Sequence, residues 1–260
     1  LVIGHYAFYH CSSLQGDLRI TDNVETIGNY AFWGCSGLTG TLSLTDKIEK
    51  IGSNAFQGCS GLTGNVKIGG NLTKIEDSTF YGCSGLEGIE IGETIETIGP
   101  QAFYYCTGIK KVKIPISTEY YIDDQTTMGY PERMSFNYCS SIEEIEYTKG
   151  TGKTFYPLDL FYAGTYRQGL AESAHESLKK VIFEDGIKEI PYYAFENCSN
   201  LETVKLPEVL EKIGRNAFYG CSSWNDEIEL PNTIEEIEDS AFYECTSLTG
   251  NFVLPENVKT

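Results

Sequence analysis

The sequence predicts a right-handed α/β solenoid of about ten short coils, mostly short β-strands with helical turns. Three observations predict it. A Phe recurs at positions 8, 32, 56, 80, 103, 136, 161, 195, 218 and 242, most often 23 to 25 residues apart. In nine of these units a Cys follows three residues later (11, 35, 59, 83, 106, 139, 198, 221 and 245), which accounts for every cysteine of the chain. The tenth unit carries Gly164 there. Each unit also holds an alternating apolar pair, such as Leu42/Leu44, Val112/Ile114 or Ile228/Leu230. One such unit cannot enclose a core, whereas a stack of them can.

The unit Cys35 to Cys59 justifies each element in turn. Leu42-x-Leu44 has the period of two that marks a short strand with one buried face. Pro115, Pro207, Pro231 and Pro255 follow such strands and end them. Ile48-x-x-Ile51-Gly52 reads as a second extended stretch that turns at its Gly. Ser53-Asn54-Ala55-Phe56 reads as a cap and a single helical turn. Stacked at a strand spacing of about 4.8 Å, ten coils make a rod of roughly 50 Å. The whole chain, 1–260, reads as one solenoid domain, with irregular middle coils over 116–176.

Charge narrows the partners. The chain carries 19 Lys+Arg against 37 Asp+Glu, a formal charge of -18. That surface repels nucleic-acid phosphate and anionic lipid. An apolar content of 41% is too high for disorder at this length. There is no apolar run of membrane-spanning length. Leu1-Val2-Ile3-Gly4-His5 shows neither the regions of a signal peptide nor a starting Met, so the chain reads as a mature form or a cut fragment.

The consensus Ile-Gly-x-x-Ala-Phe-x-x-Cys-x-x-Leu-x-x-Ile-x-Ile-Pro, clearest from Ile98 to Pro115 and from Ile213 to Pro231, resembles the BspA-like (Treponema pallidum type) leucine-rich repeats. The match is close over 1–115 and 178–260 and looser between. The resemblance implies a leucine-rich-repeat superhelix. It further implies an extracellular or cell-surface protein of a host-associated bacterium or protist parasite. The implied work is adhesion to host matrix proteins or aggregation with other cells. The family has no shared catalytic motif to carry over.

The chemistry-bearing residues fit that picture. Metal sites need clustered ligands, and no two cysteines are separated by two residues. A thiol once per coil reads as a buried packing ladder. His5 and His10 lie in the first coil and His175 in an irregular stretch, none near a fixed nucleophilic partner. Ser after Cys recurs in many coils, which argues for turn chemistry, since a catalytic group is needed only once. The reading therefore assigns no catalytic residues, no metal and no cofactor.

Departures from the lattice are where function is expected. One insert runs from Ile116 to about Pro131 and a second from about Thr165 to Glu176. They are expected to rise from opposite edges of the main sheet, with the coils of Ile145 and Val181 as a floor between them. Tyr120, Tyr121, Tyr130, Tyr147 and Tyr166 crowd this region. They either bind a partner or pack over imperfect coils. Lys111, Lys113 and Lys180, with Lys67 and Lys205, project outward from the strands. They form either a basic strip for an acidic partner or cross-strand pairs, for example of Lys113 with Glu90 or Glu146.

Together these readings favour a noncatalytic module binding a protein or glycan, with a structural spacer as the alternative. Nucleic acid and membrane insertion are excluded as partners, and end-to-end self-association of the open coils is expected. The ladder makes a first prediction. Thiol titration under denaturing, non-reducing conditions should find the cysteines free, and fewer than about seven reactive thiols would overturn it.

Overall fold

A computed structural model describes residues 1–115, 119–120, 135–148, 174–250 and 253–258. The chain winds as a parallel β-solenoid. Its main face stacks Leu18–Arg19 on Leu42–Ser43, and then Gly64–Ile68, Leu86–Ile91, Lys111–Pro115, Glu144–Thr148, Lys180–Phe183 and Thr203–Lys205 in chain order. Isolated bridges at Thr41–Thr63 and Glu227–Thr249 continue the ladder between and beyond these sheets. All pairings are parallel, and inward residues align in columns such as Val66, Ile89, Val112, Ile145, Val181 and Val204.

The second extended stretch is also present. Val2–Ile3, Thr26–Ile27 and Lys50–Ile51 form one narrow parallel sheet. Lys74–Ile75, Thr97–Ile98 and Glu119–Tyr120 form another, and Glu189–Ile190, Lys212–Ile213 and Glu236–Ile237 a third. Ile27, Ile51, Ile75, Ile98, Ile190 and Ile213 are buried in the core shared with the main face, and Ile3 and Ile237 are partly buried against it.

Two expectations change. The count is about eight turns where ten were expected, since eight strands build the main face among the described residues. The unit of Phe8 adds a second-face strand and a turn without a main strand, and the unit of Phe242 meets the sheet only through a bridge. The helical turn at Ser53–Phe56 is replaced by a ribbon of tight turns. Among the described residues the only helix is a 3-10 turn, Ala174–Glu176.

The reason lies in the backbone. Ala55, Gln57 and Cys59 donate their N–H groups three residues back, to Gly52, Asn54 and Phe56. The alternate residues Asn54, Phe56 and Gly58 donate instead to Asp77, Thr79 and Tyr81 of the next coil. An α-helical bond would take those donors away from the neighbouring coil. Asn54 (φ 61°) and Gly58 (φ 72°) are left-handed, each third in its four-residue turn, as a type II turn requires. Tyr30, Ser78, Gln101 and Asn216 repeat the first position; Tyr105, Tyr138 and Asn197 repeat the second. Non-Gly residues hold this conformation at a cost of about 1–2 kcal/mol each, offset by the inter-coil bonds.

The Phe and Cys columns form the centre of the stack. Phe8, Phe32, Phe56, Phe80, Phe103 and Phe136 stack ring on ring at 4.7–5.5 Å. Phe195, Phe218 and Phe242 do so at 5.4 and 5.6 Å. Trp224 takes the place of Leu beside them, tilted against Phe218 and Phe242. Its indole N–H is buried without a partner.

Glycine is required for two different reasons. A Cβ on Gly52 would lie 2.6 Å from the backbone N of Asn29 in the previous coil. A Cβ on Gly58 would meet only the Gly34 backbone, at 3.7 Å, so conformation alone favours Gly there. Gly58→Ala should therefore lower stability by about 1 kcal/mol, and Gly52→Ala by about 2–3 kcal/mol as the coils are forced apart. Denaturant melts of the two variants check the order, and equal losses would contradict it.

Candidate functional site

From Lys67 to Lys180 the outward residues of the main face carry charge that changes sign coil by coil. Lys110, Lys111 and Lys113 occupy one coil, Glu143, Glu144 and Glu146 the next, and Lys179 and Lys180 the one after. Glu144 pairs with Lys111 at 3.3 Å on one side and with Lys180 at 3.7 Å on the other. Glu143 reaches Lys179 at 3.5 Å, and Lys67 reaches Glu90 at 3.5 Å. Lys113 donates to Glu146 at 2.6 Å and lies 3.5 Å from Glu184, and the hydrogen bond to Glu146 raises its pKa. Lys111, Lys113 and Lys180 thus sit in a lattice of cross-strand pairs. The pairing of Lys113 is with Glu146, and the face is a checkerboard instead of a basic strip. Exposed pairs of this kind contribute about 0–1 kcal/mol each, so the lattice sets pairing order more than stability.

The tyrosines divide. Tyr147 is 1% exposed and stacks on Phe183 at 5.2 Å. It continues the inward column Ile114, Tyr147, Phe183 and cannot offer a contact surface. The expectation for Tyr147 is corrected: the period of two that points Glu146 outward points Tyr147 inward. The backbone of Tyr120 pairs with Ile98 on the second face. Tyr121, Tyr130 and Tyr166 lie outside the described residues, as does most of both inserts.

Polar groups elsewhere serve the stack. His5 Nδ1 accepts the N–H of Asn29 at 2.9 Å. Asp17 accepts the N–H of Thr41 at 2.8 Å, and that bond holds its carboxyl below the usual range. Burial pushes the pKa of His175 down. Among the described residues no group of three or more His, Cys, Asp or Glu could hold a metal ion. No helix there is long and apolar enough to cross a membrane.

The thiol column is buried from Cys35 to Cys221 and is more than packing. Seven of the thiols donate to the Phe carbonyl of the preceding coil, as Cys59 does to Phe32 and Cys83 to Phe56 at 3.1 Å. The seven bonds are 3.0 to 3.2 Å long. A thiol spends its hydrogen on a carbonyl that would otherwise keep a lone pair unused. Burial pushes Cys59, Cys106 and Cys198 up to about 12. A thiol held protonated in this way is a poor nucleophile at neutral pH.

One surface went unmarked in the sequence reading. The turn ribbon that flanks the Phe column carries no Asp, Glu, Lys or Arg over 30–40, 54–64, 78–86, 101–109 and 135–142, and Glu76 and Asp77 stand just before the third of these segments. Aromatic rings stand along it. Trp33 stacks on Tyr9 at 4.8 Å, Tyr81 on Tyr104 at 5.2 Å, and Tyr105 on Tyr138 at 4.5 Å. Tyr105 also meets the Tyr81 ring at 6.2 Å, edge to face. The charge-free segments were legible in the sequence; that they fall on one flank was not.

Comparison with known proteins agrees with the coil chemistry. The profile of the BspA type leucine rich repeat region matches residues 2–130 and 173–260 in six copies. A leucine-rich repeat protein from Bacteroides ovatus is 24% identical, with all of this chain and 77% of that chain covered and a TM-score of 0.39. A leucine rich cell surface protein from Faecalibacterium prausnitzii is 20% identical over 95% of this chain and 81% of that one, with a TM-score of 0.44. The leucine rich repeat protein of T. pallidum is 21% identical over 86% and 83%, with a TM-score of 0.48. No curated protein matches the chain.

The thiol column makes the stability depend on alkaline pH. The unfolded thiols ionise at about 8.5, whereas the folded ones keep their protons toward about 12. The folded state then binds more protons, so the stabilisation is complete below the ordinary thiol range and is lost as pH rises through it to about 12. The melting temperature should fall progressively above about pH 9, and Cys59→Ala with Cys106→Ala should flatten that fall. An unchanged slope in the variant would contradict the assignment.

Proposed function

We propose that the chain, which belongs to the BspA type leucine-rich repeat family, is a noncatalytic binding and display scaffold of a cell surface or extracellular space, holding a protein or glycan partner. One observation carries this reading. The polar groups that recur from coil to coil are occupied within the stack: thiols by Phe carbonyls, main-face lysines by glutamates, His5 by a backbone N–H. What remains for outside partners is long, rigid, repeating surface and whatever interrupts it.

The partner footprint is assigned to residues 116–176, the interruption of the lattice. Tyr120, Tyr121, Tyr130 and Tyr166 of this stretch, with Lys111, Lys113 and Lys180, are the residues proposed to contact the partner. Host matrix proteins are the first partners to test, and adhesion is the finer role that this reading predicts.

Replacing residues 117–130 by a plain coil should weaken capture on immobilised matrix proteins at least about tenfold while the melting curve stays cooperative. Capture at full strength by the replaced chain would overturn the footprint. Failure of the unaltered chain to bind any protein or glycan would favour a spacer.

A further inference from the structure

We propose that the uncharged turn flank of the five coils from Phe32 to Phe136 is a binding face for a neutral polysaccharide, read by Trp33, Gln57, Tyr81, Tyr105 and Tyr138. The inference rests on the scaffold reading and deepens it, since it adds a ligand class and a surface distinct from the inserts.

The distribution of charge is the first argument. Charged residues make up 22% of the chain and its net charge is -18. Yet the segments 30–40, 54–64, 78–86, 101–109 and 135–142 of the flank carry none, and Glu76 and Asp77 stand only at the edge of the third. An ionic partner finds no counter-charge there. A protein interface of ordinary kind has a polar rim in which charged residues take part. A neutral polyhydroxylated ligand meets no charge that must be stripped of water.

The chemistry of the face is the second. Tyr105 is 43% exposed, and Trp33, Tyr81 and Tyr138 are half-buried, so their rings are fixed by stacking yet still reach solvent. The C–H bonds of a sugar ring carry slight positive charge and sit favourably against aromatic π-systems. Gly34, Gly58 and Gly82 lie next to this column without side chains, and a Cβ there would meet only His10 at 3.6 Å, Gly34 at 3.7 Å and Gly58 at 4.0 Å respectively. Sugar hydroxyls both donate and accept. The Gln57 amide and the tyrosine hydroxyls do the same, with an exposed Ser in each of three coils, Ser36, Ser60 and Ser84.

Periodicity is the third. Equivalent groups recur once per coil at about 4.8 Å. A linear polysaccharide likewise presents equivalent rings along its length. Successive contacts then add through effective concentration, so weak single contacts give useful avidity.

The test uses affinity electrophoresis of the whole chain in gels holding a neutral β-glucan, mannan or xylan, or the anionic polysaccharides heparin and polygalacturonate. The variant combines Trp33→Gln, Tyr105→Gly and Tyr138→Gly. Each replacement copies a residue already present in the same column, Gln57 or Gly58, so the variant should fold. At least one neutral gel should retard the unaltered chain, and the variant should bind at least about tenfold more weakly with an unchanged melting curve. Retardation by the anionic gels alone, by none, or equally by the variant would overturn the proposal. Self-association that the variant abolishes, without retardation in any neutral gel, would assign the face to a second copy and overturn it as well. The chain with residues 117–130 replaced should bind the polysaccharide normally. Protein capture through the insert with no neutral gel retarding the chain would sink this inference alone and leave the scaffold reading standing.

Discussion

The whole structure depends on the hydrogen bond from one coil's backbone to the next. On the main face, Leu18 and Ile20 donate to Thr41 and Ser43 of the following coil. On the second face, Glu49 and Gly52 donate to Glu25 and Ile27 of the preceding one. On the turn ribbon, Asn54, Phe56 and Gly58 donate forward again. Backbone polar groups in the interior must be paired, and here the neighbour is the partner. The coil spacing is therefore fixed by the backbone, and every side-chain column must fit it. Six parallel Phe rings at about 5 Å fit; Gly52 is needed where two backbones come closest.

The same constraint explains the thiols and the left-handed residues. A turn ribbon that sends alternate N–H groups to the next coil leaves the Phe carbonyls with capacity for a second donor, which the Cys thiol fills. The ribbon can be drawn only with a positive φ twice per coil. Gly serves where available, and elsewhere Tyr, Asn, Ser and Gln are held there by the lattice. Because contacts run between neighbouring coils, stability is close to a sum of coil and interface contributions. The sign alternation of Lys and Glu coils then acts locally, favouring the native neighbour over a shifted one.

Much of this was legible from the chain. The Phe and Cys spacing gave the stack, and the alternation Leu42-x-Leu44 gave the main face. The helical turn at Ser53–Phe56 was misread because Asn54 before Ala55-Phe56 satisfies a helical start locally, while its donor is claimed by Asp77 of another coil. For Tyr147 the partner-contact reading failed and its packing alternative held: composition drew attention to a cluster of tyrosines, whereas strand alternation assigns this one to the core.

By itself the sequence determined the repeat, the inward columns and which residue types occupy each position, since those follow from periodicity along one chain. Only the tertiary structure decided what lies beside what across coils. It turned Lys67, Lys111, Lys113 and Lys180 from a strip into a checkerboard, since Lys111 and Glu144 are 33 residues apart in sequence and 3.3 Å apart in space. It turned thiols into donors for carbonyls of another coil. It also gathered uncharged segments, each unremarkable alone, into one flank. The physical reason is common to all three: these contacts are made between equivalent positions of different coils, at a spacing that the backbone hydrogen bonds set.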